Sequence, residues 1–144
     1  AARIDTPVQD PQPLPYLTGN EKWGLDIDLA VEWNGHIVSR PPYAQMYWSP
    51  AQMLAHTSVN GAATRTGDLF GSGPVSGPEK SQRGAFIELT WGGAEPVRIG
   101  DETRTFLEDG DEIAISATAP GPNGTRIGFG EVRTRILPAT GAVN

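Results

Sequence analysis

The sequence predicts a mainly β fold, a sandwich or roll of short strands with one short helix near residues 50–60. Three observations carry that prediction. Eighteen glycines and 13 prolines punctuate 144 residues without any fixed period, which suits many strands joined by turns better than a helix bundle. Several runs alternate apolar and polar residues with a period of two, the pattern of half-buried strands. Only one stretch combines a helix cap, a proline at the first helical position and apolar residues at helical spacing.

Taken in order, residues 1–20 form a proline-rich lead-in, with Pro7, Pro11, Pro13 and Pro15. Such spacing opposes a helix and favours an extended strap, more typical of the middle of a longer chain than of a domain start. Leu25, Ile27, Leu29, Val31 and Trp33 then alternate with Asp26, Asp28, Ala30 and Glu32 as one strand. Asn34-Gly35 is a strong two-residue hairpin signal, His36 to Ser39 reads as the return strand, and Pro41-Pro42 ends it.

Ser49 caps the helix, Pro50 opens it and Asn60-Gly61 closes it, with Ala51, Leu54, Ala55, Ser58 and Val59 as its apolar face. Tyr47 and Trp48, just before the cap, read as an anchor. Thr66-Gly67-Asp68 is a turn into a short strand, Leu69-Phe70, followed by a glycine-rich loop from Gly71 to Pro78. Ala85 to Trp91 reads as a strand, with Ala85, Ile87, Leu89 and Trp91 on one face and Phe86, Glu88 and Thr90 on the other. Further strands are predicted at Val97-Ile99, Thr105-Leu107, Glu112-Thr118 and Ile127-Leu137, separated by glycine-containing turns.

Composition narrows the function classes. The formal charge of -6 opposes a phosphate-backbone binder, which needs clustered positive charge, so no nucleic-acid partner is expected. The absence of cysteine removes disulfides, thiolate metal sites and thiol nucleophiles. No apolar run approaches the ~18 residues of a membrane span, so no membrane partner is expected either. At ~150 residues per domain the chain is one domain or a piece of one.

Glu88 is the most informative polar residue. If both faces of its element are covered, it is a carboxylate in a low-dielectric cleft with a raised pKa or a fixed partner; otherwise it is an ordinary solvent-facing glutamate. Asp26 and Asp28 could share a hard cation, but nothing nearby adds further oxygen ligands. The acidic run Glu108 to Glu112 has the composition of a calcium loop without its spacing and reads as a strand-entry turn. Ser76 lies in Gly-Pro-Val-Ser-Gly, which is not a nucleophile elbow, and the two histidines, His36 and His56, complete no triad.

Read together, several runs resemble the C-terminal part of the fumarylacetoacetate hydrolase family. They are Gln9-Asp10-Pro11 with Pro13-Leu14-Pro15-Tyr16-Leu17, Met46-Tyr47-Trp48-Ser49-Pro50, Leu54-Ala55-His56 with Val59-Asn60-Gly61, and Gly67-Asp68-Leu69 with Gly71-Ser72-Gly73. Ser76-Gly77-Pro78-Glu79, Glu88-Leu89-Thr90-Trp91, Phe106 to Glu112 and Arg126-Ile127-Gly128-Phe129-Gly130 follow in the family's order. The resemblance spans nearly the whole chain and makes residues 1–144 the C-terminal portion of a catalytic domain.

The resemblance implies a rolled mixed β-sheet and a hydrolase that cleaves the carbon–carbon bond of a β-diketo acid. The implied substrate is fumarylacetoacetate and the products are fumarate and acetoacetate, the last step of tyrosine and phenylalanine catabolism. It further implies a cytoplasmic homodimer and a divalent cation, calcium or magnesium, whose ligands lie outside this segment. Glu88 takes the place of the family's glutamate that orients and charges a catalytic histidine. That histidine, the metal ligands and the family's arginine and lysine belong to the region before Ala1, and neither His36 nor His56 stands in for the histidine. Where the family reads Gly-Thr-Ile-Ser-Gly, with its threonine on the substrate carboxylate, this chain has Pro74, which offers neither hydroxyl nor amide proton. The alternatives are a hydrolase of another acylpyruvate or diketo acid and a non-enzymatic β-sheet binding domain. A further expectation is an exposed apolar patch on the sheet, with Trp33, Phe86 and Trp91 not all buried by this chain.

Overall fold

In the computed structural model, which describes residues 2–19 and 23–141, the Asn34-Gly35 pair makes the tight turn that its sequence predicts. Both residues have positive φ, 48° and 80°, as a two-residue turn matched to strand twist requires. The turn joins β3 (Asp28–Trp33) to β4 (His36–Ser39). The long alternating run before it divides into β2 (Trp23–Leu25) and β3, separated at Asp26-Ile27, where the Asp26 amide donates to the carbonyl of Ala2 at 2.6 Å. β2 pairs instead with β1 (Arg3–Asp5), inside the proline-rich lead-in, whose residues 1 and 20 lie outside the described residues.

β3 also pairs with β7 (Glu112–Pro120), and β7 with β8 (Arg126–Arg135), giving a four-stranded sheet of order β4-β3-β7-β8. β5 (Val97–Ile99) and β6 (Glu102–Arg104) form a separate hairpin across Gly100-Asp101. Every strand pairing among the described residues is antiparallel, and the fold is mainly β. The register across the four-stranded sheet aligns Val31, Ile115 and Val132 on one face and Glu32, Ala114 and Arg133 on the other. The second face is charged: Arg133 pairs with Glu131 at 2.8 Å and with Glu112 at 2.5 Å.

α1 (Pro50–Val59) has the predicted cap. Ser49 accepts from the Gln52 amide at 3.2 Å and the Gln52 side chain accepts from the Ser49 amide at 2.9 Å, a reciprocal capping box. The helix's apolar face is narrower than its spacing predicts: Ala51 and Ala55 are half-buried, but Leu54, Ser58 and Val59 are exposed. Gln52 and Gln9 exchange side-chain amide bonds at 2.8 and 2.9 Å, and Tyr47 donates to the Pro11 carbonyl, so α1 is packed on the lead-in.

Three predicted strands change. Ala85 to Trp91 is a helical turn, α2 (Phe86–Leu89). Its period-two alternation is real, but Phe86 and Leu89, three apart, are the residues that turn inward, and both ends are closed by local bonds. At the start the Glu88 carboxylate accepts from the Ala85 amide at 3.2 Å. At the end the Trp91 amide bonds the Glu88 carbonyl and the Gly92 amide bonds the Ile87 carbonyl, with Trp91 left-handed at φ 49°. That is a Schellman closure, and short-range closure defeats the strand. Leu69-Phe70 forms no strand because no neighbouring segment pairs with it, and Leu69 is fully exposed. Thr105-Leu107 lies after β6, since the turn at Gly100 makes residues 102–104 the pairing ones.

The apolar core is small: Leu17, Trp33, Val75, Leu89, Ala114 and Ala119 are its buried members. Trp33 is fully buried and meets Phe86 edge-to-face at 5.6 Å, while Trp91 is 66 % exposed. Beyond the part covered by α2 the apolar face of the sheet is open, with Val132 68 % and Phe129 60 % exposed. The expected exposed patch is present.

One polar cluster ties these pieces together. Asp111 is buried, and its carboxylate accepts from Arg104 at 3.1 and 3.3 Å, from Asn34 Nδ2 at 3.0 Å and from the Glu108 amide at 2.8 Å. Asn34 returns the contact by accepting from the Glu112 amide at 2.8 Å, and the Arg104 guanidinium lies 5.7 Å from the Trp33 ring centre. Burial pushes the Asp111 carboxyl up. The Glu108 amide, Asn34 and Arg104 outweigh that push, joined by the Trp33 indole, which is close but outside hydrogen-bond geometry; they hold the group at about 2, below the ordinary 3.8. A carboxyl lowered on folding stabilises the fold above its unfolded value and loses that contribution as pH falls through the folded value. The size is about 2 kcal/mol, present above about pH 4 and lost toward pH 2. Urea unfolding of wild type and Asp111→Asn, followed by tryptophan fluorescence from pH 7 to pH 2, is expected to show two things. The variant is weaker at pH 7 by about 2–4 kcal/mol, and the gap narrows in the acid window. Parallel loss of stability in both chains would remove Asp111 as the source.

Candidate functional site

Glu88 sits at the third position of α2, where the helical turn needs an acceptor for its first amide. The same carboxylate oxygen, Oε2, accepts from the Ala85 amide at 3.2 Å and from the Ser76 hydroxyl at 2.6 Å. Glu88 thus lies on a helical turn and not on a strand covered on both faces, and the partner of its carboxylate is the exposed Ser76. The backbone of Glu88 is also held: its carbonyl accepts from Arg83 Nη1 at 2.9 Å, and the same guanidinium lies 5.3 Å from the ring centre of Trp91. Glu88 is half-buried, between the enclosed Leu89 and Thr90 and the exposed Ile87.

Two glycines let the 71–78 loop reach this turn. A Cβ on Gly84 would lie 2.0 Å from the Val75 carbonyl oxygen, and one on Gly77 would lie 2.4 Å from Gln82 Oε1. With those atoms absent, the Gly77 amide donates to the Gln82 carbonyl at 3.0 Å and the Gly84 amide donates to the Ser76 hydroxyl at 3.1 Å. Val75 is buried beneath this seam, and Pro74 stands exposed beside it, following Gly73 with its φ of 73°. In the sequence Ser76 stands as a residue outside any nucleophile elbow and as the first of the run Ser76-Gly77-Pro78-Glu79; its contact with Glu88, 12 residues away, depends on this loop closure.

The other candidates go elsewhere. Asp28 pairs with Arg126, and Asp26 lies in the break between β2 and β3. The acidic run 108–112 is a strand-entry turn, with the Asp111 amide donating to the Glu108 carbonyl at 3.0 Å. His36 is exposed in β4, and His56 on α1 shares a 2.9 Å hydrogen bond with the Tyr16 hydroxyl. Neither histidine bonds Glu88 among the described residues. No three His, Cys, Asp or Glu side chains among the described residues form a group that could hold a metal ion. The described residues thus offer no donor set that fits a divalent cation. A cleft of about 1060 Å³ opens between the lead-in and α1, away from Glu88, lined by residues that include Gln9, Tyr16 and Gln52. No helix of the described residues is long and apolar enough to cross a membrane.

Comparison with known proteins agrees with the motif order. The family model described as fumarylacetoacetate (FAA) hydrolase C-terminal matches residues 6–137. The chain is 47 % identical over 142 residues to the fumarylacetoacetase of Caenorhabditis elegans and 43 % identical over 143 residues to that of Homo sapiens. Each match takes in 94 % of this chain and 34 % of the relative. The fumarylacetoacetase of Arabidopsis thaliana is 40 % identical over 139 residues, 92 % of this chain and 33 % of the relative. The chain spans about a third of the length of the curated relatives it matches.

The packing at Gly84 generates a direct test. Gly84→Ala is expected to push the loop off α2 and cost about 1–3 kcal/mol, whereas Gly71→Ala, with open space at its Cβ, is expected to fall within about 0.5 kcal/mol of wild type. Denaturant unfolding gives the energies. Faster hydrogen exchange at the Gly77 amide in Gly84→Ala marks the opened seam.

Proposed function

The chain belongs to the fumarylacetoacetate hydrolase family, and we propose that it supplies the C-terminal third of a hydrolase that cleaves fumarylacetoacetate to fumarate and acetoacetate. The observation that carries this reading is Glu88 in its Glu-Leu-Thr-Trp run, a half-buried carboxylate fixed by Ser76 and its own helical turn. Its role is to orient the imidazole of a histidine supplied from outside this segment and to stabilise that ring once protonated. The imidazole takes a proton from water, whose hydroxyl adds to the substrate carbonyl. The carbon–carbon bond then breaks, and the acetoacetate carbon carries the electron pair until it is protonated. A carboxylate that fixes both the tautomer and the charge of a base acts where negative charge is being moved.

The divalent cation belongs to the same proposal, with ligands drawn from outside this segment, as do the cytoplasmic location, the homodimer and the closing of the sheet into a roll. The open face around Ile115, Phe129 and Val132 supports that reading, because an apolar sheet face of this kind is ordinarily covered. Pro74 stands where the family's substrate-binding threonine is expected, which favours a second reading on one point: a related acylpyruvate or diketo acid as substrate.

In a chain extended to the length of the relatives, Glu88→Gln is expected to lower turnover about 10²–10⁴-fold with a smaller effect on KM, and to remain folded. Following the loss of substrate absorbance gives both constants, and near-normal turnover in a folded Glu88→Gln protein would make Glu88 scaffold only. Pro74→Thr in the same chain is expected to change KM for fumarylacetoacetate and leave kcat within a few-fold. The 144-residue chain alone is expected to turn over no fumarylacetoacetate; activity sensitive to Glu88→Gln would overturn that expectation.

A further inference from the structure

We propose that Ser76 is a positioning residue, whose hydroxyl locks the Glu88 carboxylate by one oxygen and keeps the other available to the catalytic base; this rests on the reading of Glu88 given above. A serine hydroxyl has a single proton to donate. The Gly84 amide occupies an acceptor position of Ser76 Oγ at 3.1 Å, and the Ser76 proton is directed to Glu88 Oε2 at 2.6 Å. That separation is typical of a charge-assisted O–H to carboxylate bond.

The Ala85 amide reaches the same oxygen at 3.2 Å. Two donors converge on Oε2, and Oε1 receives no hydrogen bond among the described residues. Without the Ser76 hydroxyl, one backbone amide would hold the carboxylate and the side chain could rotate about it. Ser76 is exposed, but the backbone that carries it is held in place. Val75 before it is buried, Gly77 after it is bonded to Gln82, and Gly84 passes so close to Val75 that no Cβ fits between them. The loop is a template for one hydroxyl.

The experiment uses the chain at the full length of the relatives, with fumarylacetoacetate as probe and kcat and KM measured separately. Ser76→Ala is expected to lower kcat about 10–10²-fold with KM changed less than about three-fold, the scale of losing an outer partner or of a misplacement near 1 Å. Ser76→Thr keeps the hydroxyl and is expected to recover most of the turnover. A purely structural role would shift the thermal midpoint and leave kcat intact well below it. Unchanged kcat in folded Ser76→Ala, beside an inactive Glu88→Gln, overturns the positioning role and leaves Glu88 catalytic. Near-normal turnover in Glu88→Gln overturns both readings. If Ser76→Ala does not fold, Ser76→Cys replaces it, with a similar size and a weak donor. Reduced kcat there supports the proposal, and wild-type kcat overturns it.

Discussion

The buried carboxylate of Asp111 is the constraint on which the rest of this structure leans. A carboxylate removed from water is costly unless its oxygens are occupied, and here the occupants come from separate parts of the chain. Asn34 brings the tip of the β3–β4 hairpin, Arg104 brings β6, and the Glu108 amide brings the turn into β7. These contacts surround Trp33, the largest fully buried side chain. Phe86 packs on Trp33, so the position of α2, and with it Glu88, is set at one remove by this charge cluster.

Glu88 itself carries two demands in one side chain. As the third residue of α2 it closes the first turn, and as the partner of Ser76 it is held at a defined rotation. α2 is only four residues long, too short to be stable by propensity, so its ends must be satisfied locally. The left-handed Trp91 belongs to that closure; a bulky residue at positive φ is strained and persists only where neighbours over-determine it. Arg83 supplies such determination by bonding the Glu88 carbonyl and lying over the Trp91 ring. Several weak terms agree on this one turn.

The four-stranded sheet is two-faced. Its charged face is self-contained, with Arg133 reaching Glu112 and Glu131, although exposed pairs of this kind each contribute little. Its apolar face is covered by α2 only near Trp33 and ends in β8, a ten-residue edge strand exposed along its whole length. Long exposed edges are normally blunted or covered, and β8 carries three arginines that oppose unselective pairing. The asymmetry agrees with a chain that spans about a third of its relatives.

Local signals in the sequence were sufficient for the mainly β class, the Asn34-Gly35 turn, the Ser49 cap and Pro50 start of α1, the strands at 97–99 and 112–118, and the strand expected at 127–137 except its last two residues, since β8 ends at Arg135, because turn chemistry and period-two burial are written in neighbouring residues. The order of its motifs also pointed to the family and to Glu88. Tertiary structure decided the rest. Ala85 to Trp91 alternates like a strand, yet it turns because Phe86 and Leu89 find cover on the same side and Glu88 closes the turn. Asp111 looks like one member of an acidic run and becomes the buried hub only when Asn34, 77 residues away, meets it. Ser76 meets Glu88 in the same way, through a loop closure across 12 residues that neither alternation nor turn chemistry reports. Periodicity reports which residues want to be covered; only the assembled chain determines what covers them.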